Sequence, residues 1–159
     1  MEELYIICVE DQREVINAIT EQLSSFENYL IIEECESAQE AITLMSEIDS
    51  QGGYVAVVIS DHVMPGMTGV ELLTQIKEDM RFSSTKKILL TGQATHSDTI
   101  EAINQAKIDK YIEKPWESED LVRKVSKLLT EYIIETGIDH RPYLDVLDKL
   151  TLFDLLKQR

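Results

Sequence analysis

Short apolar runs, each followed by a stretch with helical periodicity, recur five times along this chain, and that alternation limits its fold more than any other feature. Leu4–Val9, Leu30–Glu34, Tyr54–Ser60, Lys87–Thr91 and Lys110–Glu113 read as strands, the second more weakly than the others. Within the third, Val-Ala-Val-Val-Ile is continuous, as expected of a strand covered on both faces. Between the runs, apolar residues return every third or fourth position. Val15, Ile16, Ile19 and Leu23 share one face of a helix expected over Gln12–Phe26. Ala38, Ala41, Ile42, Met45 and Ile48 do the same in a helix that Ser37 caps. Thr68 opens a third helix reaching about Met80, Ser97–Gln105 forms a fourth, and Ser118 caps a fifth that Gly137 ends. Such an alternation specifies a doubly wound α/β fold, a five-stranded parallel sheet with helices on both faces.

At 159 residues the chain holds one well-buried domain and is too short for two. Thirty acidic residues against fifteen Lys+Arg give a formal charge of -15, and Arg13 is the only Lys or Arg before Lys77. A surface of that sign repels phosphate backbones, so direct nucleic-acid binding is not expected. Cys8 and Cys35 lack metal-ligand spacing and read as buried reduced thiols. The start M-E-E-L-Y lacks the features of a signal peptide, and no apolar stretch is long enough to span a bilayer. A cytoplasmic location without membrane contact is therefore expected.

Doubly wound sheets place their sites beyond the carboxyl ends of the strands, and four clusters fall there: Glu10–Asp11, Asp61, Thr91–Gly92 and Lys114–Pro115. Adjacent acids repel one another unless a cation compensates. A hard divalent ion such as Mg2+ needs only two or three carboxylates because it keeps several waters, and Asp61 completes such a set with Glu10 and Asp11. Asp11 as a plain helix cap is the competing reading, and the two roles are compatible. A cis bond before Pro115 would fix where Lys114 points, and a lysine aimed at three carboxylates could hold a phosphoryl oxygen. Thr91 offers a hydroxyl at a strand end. Met64–Gly69 reads as a turn that would hold the Asp61 loop with a backbone carbonyl near Val63 facing the metal. His62 and His96 read as loop residues.

The segment D-x-x-M-P-G-M-x-G at Asp61–Gly69, with L-T-G at Leu90–Gly92 and K-P at Lys114–Pro115, resembles the receiver domains of two-component response regulators, of the chemotaxis-regulator-like, flavodoxin-like kind. The likeness covers roughly residues 3–130. It implies that Asp61 is the phosphoacceptor, charged by a phosphohistidine on a sensor histidine kinase or phosphotransfer protein. It also implies Mg2+ held by Glu10, Asp11, Asp61 and the Val63 backbone carbonyl, with Thr91 and Lys114 on the phosphoryl oxygens. Tyr111 matches an aromatic switch position whose ring turns inward when Thr91 is drawn to the phosphate. Signalling would then pass to a downstream protein or a fused output domain. Two departures stand out: Glu-Asp replaces the commoner Asp-Asp pair, and Val63 and Gln93 border the path of hydrolytic water, which leaves the phosphate lifetime open.

The receiver is expected over residues 1–130 and a C-terminal helical extension over 131–159. In the extension, Asp139 or His140 with Pro142 marks a helix start, and Tyr143, Val146, Leu147, Leu150, Phe153 and Leu156 form an apolar stripe. That stripe either packs on the chain's own surface, under Tyr132 and Ile133, or forms a homodimer interface or a dock for another domain. The extension is too short for a winged helix or a cyclase. The chain reads as a signalling domain rather than an enzyme. A hydrolase of the haloacid dehalogenase type needs a second acid two positions after its nucleophile, where Val63 stands. A degenerate receiver that switches partners without phosphorylation is the binding-class alternative.

Overall fold

Continuous apolar runs require partners on both sides and cover on both faces, and the computed structural model, which describes residues 2–92 and 97–158, supplies both. The strands are β1 (Leu4–Val9), β2 (Ile31–Cys35), β3 (Tyr54–Asp61), β4 (Lys86–Thr91) and β5 (Lys110–Glu113). They pair in the order β2-β1-β3-β4-β5, every neighbouring pair parallel. The helices are α1 (Arg13–Gln22), α2 (Ala38–Ser50), α3 (Gly69–Glu78), α4 (Ser97–Gln105), α5 (Ser118–Thr136) and α6 (Lys149–Lys157). This is the doubly wound five-stranded fold the alternation calls for.

Successive strand residues face opposite sides of a sheet, and β1 shows the consequence. Ile6 and Cys8 enter a core with Ile16, Ile19, Leu121 and Val125 of α1 and α5. Ile7 and Val9 enter the opposite core with Met45, Leu72 and Ile76 of α2 and α3. Ser37 caps α2, its Oγ accepting the Glu40 N–H at 3.1 Å. Thr68 caps α3 in a reciprocal box: its Oγ1 accepts the Glu71 N–H, and Glu71 Oε1 accepts the Thr68 N–H, both at 3.1 Å. Gly137 follows α5 with φ +78°, the left-handed turn that glycine permits.

Three local expectations shift. Helix α1 stops at Gln22, and Ser24–Phe26 forms a separate 3-10 turn in which the Phe26 N–H reaches the Leu23 carbonyl at 3.0 Å; this tightening swings Phe26 into the core. Ser118 lies inside α5 rather than at its cap, which is Glu117 with no side-chain cap bond; the Glu117 carbonyl already accepts from Asp120 and Leu121. The third shift concerns the tail, where the expected single stripe is interrupted. Arg141–Val146 is a 3-10 segment, Leu147 is extended, and Asp148 starts α6 by accepting the Thr151 N–H at 3.3 Å.

The interruption sorts the tail's apolar residues. Tyr143, Val146, Leu147 and Leu152 join the core that holds Tyr132 and Ile133, whereas Leu150 and Phe153 stay 79% and 64% exposed, with Leu156 exposed beside them. Polar bonds secure the packed part. Thr130 Oγ1 accepts the Asp148 N–H at 2.9 Å, Ser126 Oγ donates to the Val146 carbonyl at 2.7 Å, and Tyr143 Oη donates to the Glu2 carbonyl at 2.7 Å. Helix α5 continues unbroken past residue 130 into this region. No helix among the described residues is long and apolar enough to cross a membrane.

Candidate functional site

Four strand ends converge at one edge of the sheet. Glu10 follows β1 directly, and its N–H bonds to the Cys35 carbonyl at 3.0 Å, which draws the residue under the edge until none of it is exposed. Its Oε2 accepts the Gln12 N–H at 3.1 Å. Its Oε1 is buried without a hydrogen-bond partner among the described residues and lies 3.6 Å from Lys114 Nζ. Asp11, one residue on, is exposed.

Asp61 ends β3 and is almost fully buried. The loop behind it is fixed by the His62 N–H on the Leu90 carbonyl at 3.1 Å and the Gly69 N–H on the His62 carbonyl at 2.8 Å. A Cβ at Gly69 would stand 2.1 Å from the Asp61 carbonyl oxygen, so only glycine lets α3 start this close to the strand end. Thr91 ends β4 and is buried, and its carbonyl accepts the Lys114 N–H at 3.0 Å. The Lys114–Pro115 bond is cis, and Lys114 Nζ makes a direct ion pair with Asp61 Oδ1.

Carboxylate oxygens of Glu10, Asp11 and Asp61 all lie within 4.8 Å of one another. Three acids against one ammonium leave the cluster negative. Burial pushes the Glu10 carboxyl above the ordinary glutamate range; the Gln12 N–H and the Lys114 charge oppose this, while the Asp61 charge adds to it. The buried unbonded Oε1 and the all-oxygen donor set fit a hard divalent cation of the Mg2+ kind. The glutamate that departs from the commoner pair is thus the most buried acid of the three.

The other expected positions lie around this cluster. Tyr111 stands opposite Leu89 in the β4–β5 register, with half its surface exposed. Val63, two residues beyond Asp61, is 71% exposed. Gln93 and His96 lie outside the described residues. His62 is partly buried, and its Nδ1 is buried with no hydrogen-bond partner among the described residues. Burial raises the thiol pKa of Cys8, and that of Cys35 to about 12, as inert core cysteines require. Sequence reasoning missed two features: the steric role of Gly69, and a hydrogen bond from the Trp116 indole Nε1–H to Gln22 Oε1 at 2.8 Å. The only cue to the second was a lone tryptophan directly after Lys-Pro.

A parallel sheet with an acidic pocket at its carboxyl edge and a lysine facing the buried aspartate defines a receiver architecture. The family model for the response regulator receiver domain matches residues 6–126, and the chain belongs to that family. It is 35% identical over 105 residues to the hydrogenase transcriptional regulatory protein HoxA of Cupriavidus necator, a match covering 66% of this chain and 20% of HoxA. It is 28% identical over 158 residues to the response regulator SaeR of Staphylococcus aureus, covering 96% of this chain and 61% of SaeR. The chain therefore spans under two thirds of the length of both. Among solved structures, the signal receiver domain of an HD domain-containing protein from Pseudomonas fluorescens superposes with a TM-score of 0.74 at 26% identity, covering 87% of this chain and 96% of that one. The chain is a receiver domain of a two-component system.

Proposed function

We propose that Asp61 accepts a phosphoryl group from a phosphohistidine on a sensor histidine kinase or phosphotransfer protein, and that the phosphorylated state changes protein–protein contacts. The observation that carries this reading is the convergence of the Glu10, Asp11 and Asp61 oxygens with Lys114 Nζ on Asp61. Transfer of a phosphoryl group depends on positioning and charge neutralisation more than on covalent help. Glu10, Asp11, Asp61 and the Val63 backbone carbonyl would hold Mg2+, which when bound neutralises charge on the phosphoryl oxygens. Lys114 exchanges part of its contact with Asp61 for a phosphoryl oxygen, and the Thr91 hydroxyl binds another. Tyr111 follows Thr91 as the switch, its half-exposed ring turning inward once Thr91 moves. A local charge change thereby biases a two-state element.

On this reading the chain is a switch and not a turnover catalyst. The apolar, solvent-facing Val63 cannot act as the second acid of an aspartate-nucleophile phosphatase. Residues 1–130 form the receiver, and 131–159 form an extension that packs on it and presents α6. The solvent-facing Leu150, Phe153 and Leu156 support a homodimer through the C-terminal helices, and the acidic balance of the chain argues against direct nucleic-acid contact by these residues. The receiver operates in the cytoplasm, on a downstream target or a fused output domain. The test is intact mass after incubation with Mg2+ and acetyl phosphate. One added phosphoryl group in the wild type and none in Asp61→Ala is the expected result. No adduct in the wild type would leave the phosphorylation-independent binding module as the better reading.

A further inference from the structure

Lys114 is held in place from behind. The loop between β5 and α5 is only four residues long, Lys114-Pro115-Trp116-Glu117. At its first residue the Lys114 N–H is fixed to the Thr91 carbonyl at 3.0 Å, and at its end the Glu117 carbonyl starts α5. Between these anchors Trp116 turns the other way. Its ring is half-buried against the core beneath α1 and α5, and its indole N–H ends on Gln22 Oε1 at 2.8 Å. Gln22 is the last residue of α1, the helix that begins two residues after Asp11. One helix therefore links the acidic end of the pocket to the loop that carries the lysine.

We propose that Trp116 and Gln22 are positioning residues for the phosphoryl-accepting reaction, setting Lys114 Nζ against Asp61 through the loop. The inference rests on the phosphoacceptor reading above. A lysine on a flexible four-carbon stem spreads its ammonium over many rotamers, so its backbone must be fixed for Nζ to meet its target reliably. An indole bonded to a helix end supplies that fixation without placing a further charge near the acids. The step it serves is balanced: an Asp61 oxygen forms the new P–O bond as the P–O bond to acetate breaks, and acetate leaves with the electron pair. Lys114 faces the shifting charge and transfers no proton.

The experiment measures phosphorylation rates by intact mass with acetyl phosphate and saturating Mg2+, in the wild type, Gln22→Met, Gln22→Glu, Lys114→Ala and the Lys114→Ala/Gln22→Met pair. Methionine keeps the volume of glutamine and loses the acceptor; glutamate keeps the acceptor. We expect Gln22→Met to slow the reaction about tenfold, within the roughly hundredfold that about 1 Å of misplacement can cost, and Gln22→Glu to stay within about twofold of the wild type. In the Lys114→Ala background the Gln22→Met change should have almost no further effect, the non-additivity of residues acting through one group. The same loss with and without Lys114, or a Gln22→Met rate equal to the wild type, overturns the proposal. Trp116→Phe, which keeps an aromatic ring and loses the N–H, must reproduce Gln22→Met; a wild-type rate there also overturns it. A wild type that accepts no phosphoryl group fails at the earlier reading instead, and is recognised by a wild-type mass that, like that of Asp61→Ala, does not change on incubation with acetyl phosphate.

Discussion

At the residue scale the pocket depends on a few atoms that cannot be exchanged. Gly69 is the sharpest case, because its open space is filled by the Asp61 carbonyl. Gly69→Ala must push α3 away from the end of β3, and overpacking of this kind costs about 1–3 kcal/mol. A lower urea midpoint, together with slower phosphorylation of Asp61, is the expected outcome; an unchanged midpoint would show that the loop yields freely. Trp116 gives a second handle, since it is the only tryptophan and lies two residues from Lys114. Mg2+ should change its emission as the Lys114–Asp61 contact adjusts, and Asp61→Ala should weaken the response; identical titrations would contradict the expected link. The chemical identities in this pocket were legible because each stands at the end of an apolar run. The Gly69 contact was not, because a clash between residues eight apart leaves no periodic trace in a sequence.

Elements carry their own signals to different degrees. Ser37 and Thr68 were readable as caps because a short hydroxyl residue precedes each helical pattern; both accept the N–H three residues on, and at Thr68 the Glu71 carboxylate completes a reciprocal box. Ser118 also precedes a helical pattern, but Leu121 stands three residues on, and it proved to be the first residue inside α5, since the Glu117 carbonyl, which any residue could supply, takes the first helical bonds. Strand β4 holds a feature invisible to pattern reading: two buried lysines. Lys86 Nζ pairs with Glu135 at 2.9 Å, and Lys87 Nζ lies 3.7 Å from Asp109, whose Oδ2 also accepts the Lys87 backbone N–H at 2.7 Å. Burial lowers the Lys87 pKa, and the Asp109 charge opposes the shift. The folded protein thus binds this proton less tightly than the unfolded chain. The group's contribution to stability is complete only above the unfolded lysine value of about 10.4, and it falls away as pH drops through the lower folded value. Lys87→Met removes the dependence while leaving Asp109 its backbone bond. Near neutral pH the variant should match the wild type within about 1 kcal/mol or exceed it, as apolar replacements of buried ions often do, and it should lose ground as pH rises toward 10. Urea unfolding at two pH values measures this, and a large loss at neutral pH would show that the ion pair is strongly stabilising.

For the whole molecule the decisive question is what the tail is for, and its two halves answer differently. A single apolar stripe was visible in the sequence, but the stop at Leu147 and the new start at Asp148 divide it, because the Asp148 carboxylate caps Thr151 and breaks the period. Tyr143, Val146, Leu147 and Leu152 are part of the core. Burying a large apolar side chain stabilises by roughly 1.5–3 kcal/mol, so removing four of them with residues 138–159 approaches the whole margin of about 5–15 kcal/mol that holds a domain folded. That deletion should therefore broaden or abolish cooperative unfolding, and its oligomeric state would say little about an interface. Leu150→Glu and Phe153→Glu alter only solvent-facing side chains on α6 and isolate the question. Three side chains on a nine-residue helix offer much less than the roughly 800 Å² per partner of a standard interface, so a dimer through α6 must be weak. Light scattering should then show the mass of the wild type rising from one 18.2 kDa chain toward two as concentration increases through the micromolar range, with both variants staying at one. A wild type that remains monomeric throughout would remove the homodimer and leave the outer face of α6 to a different partner.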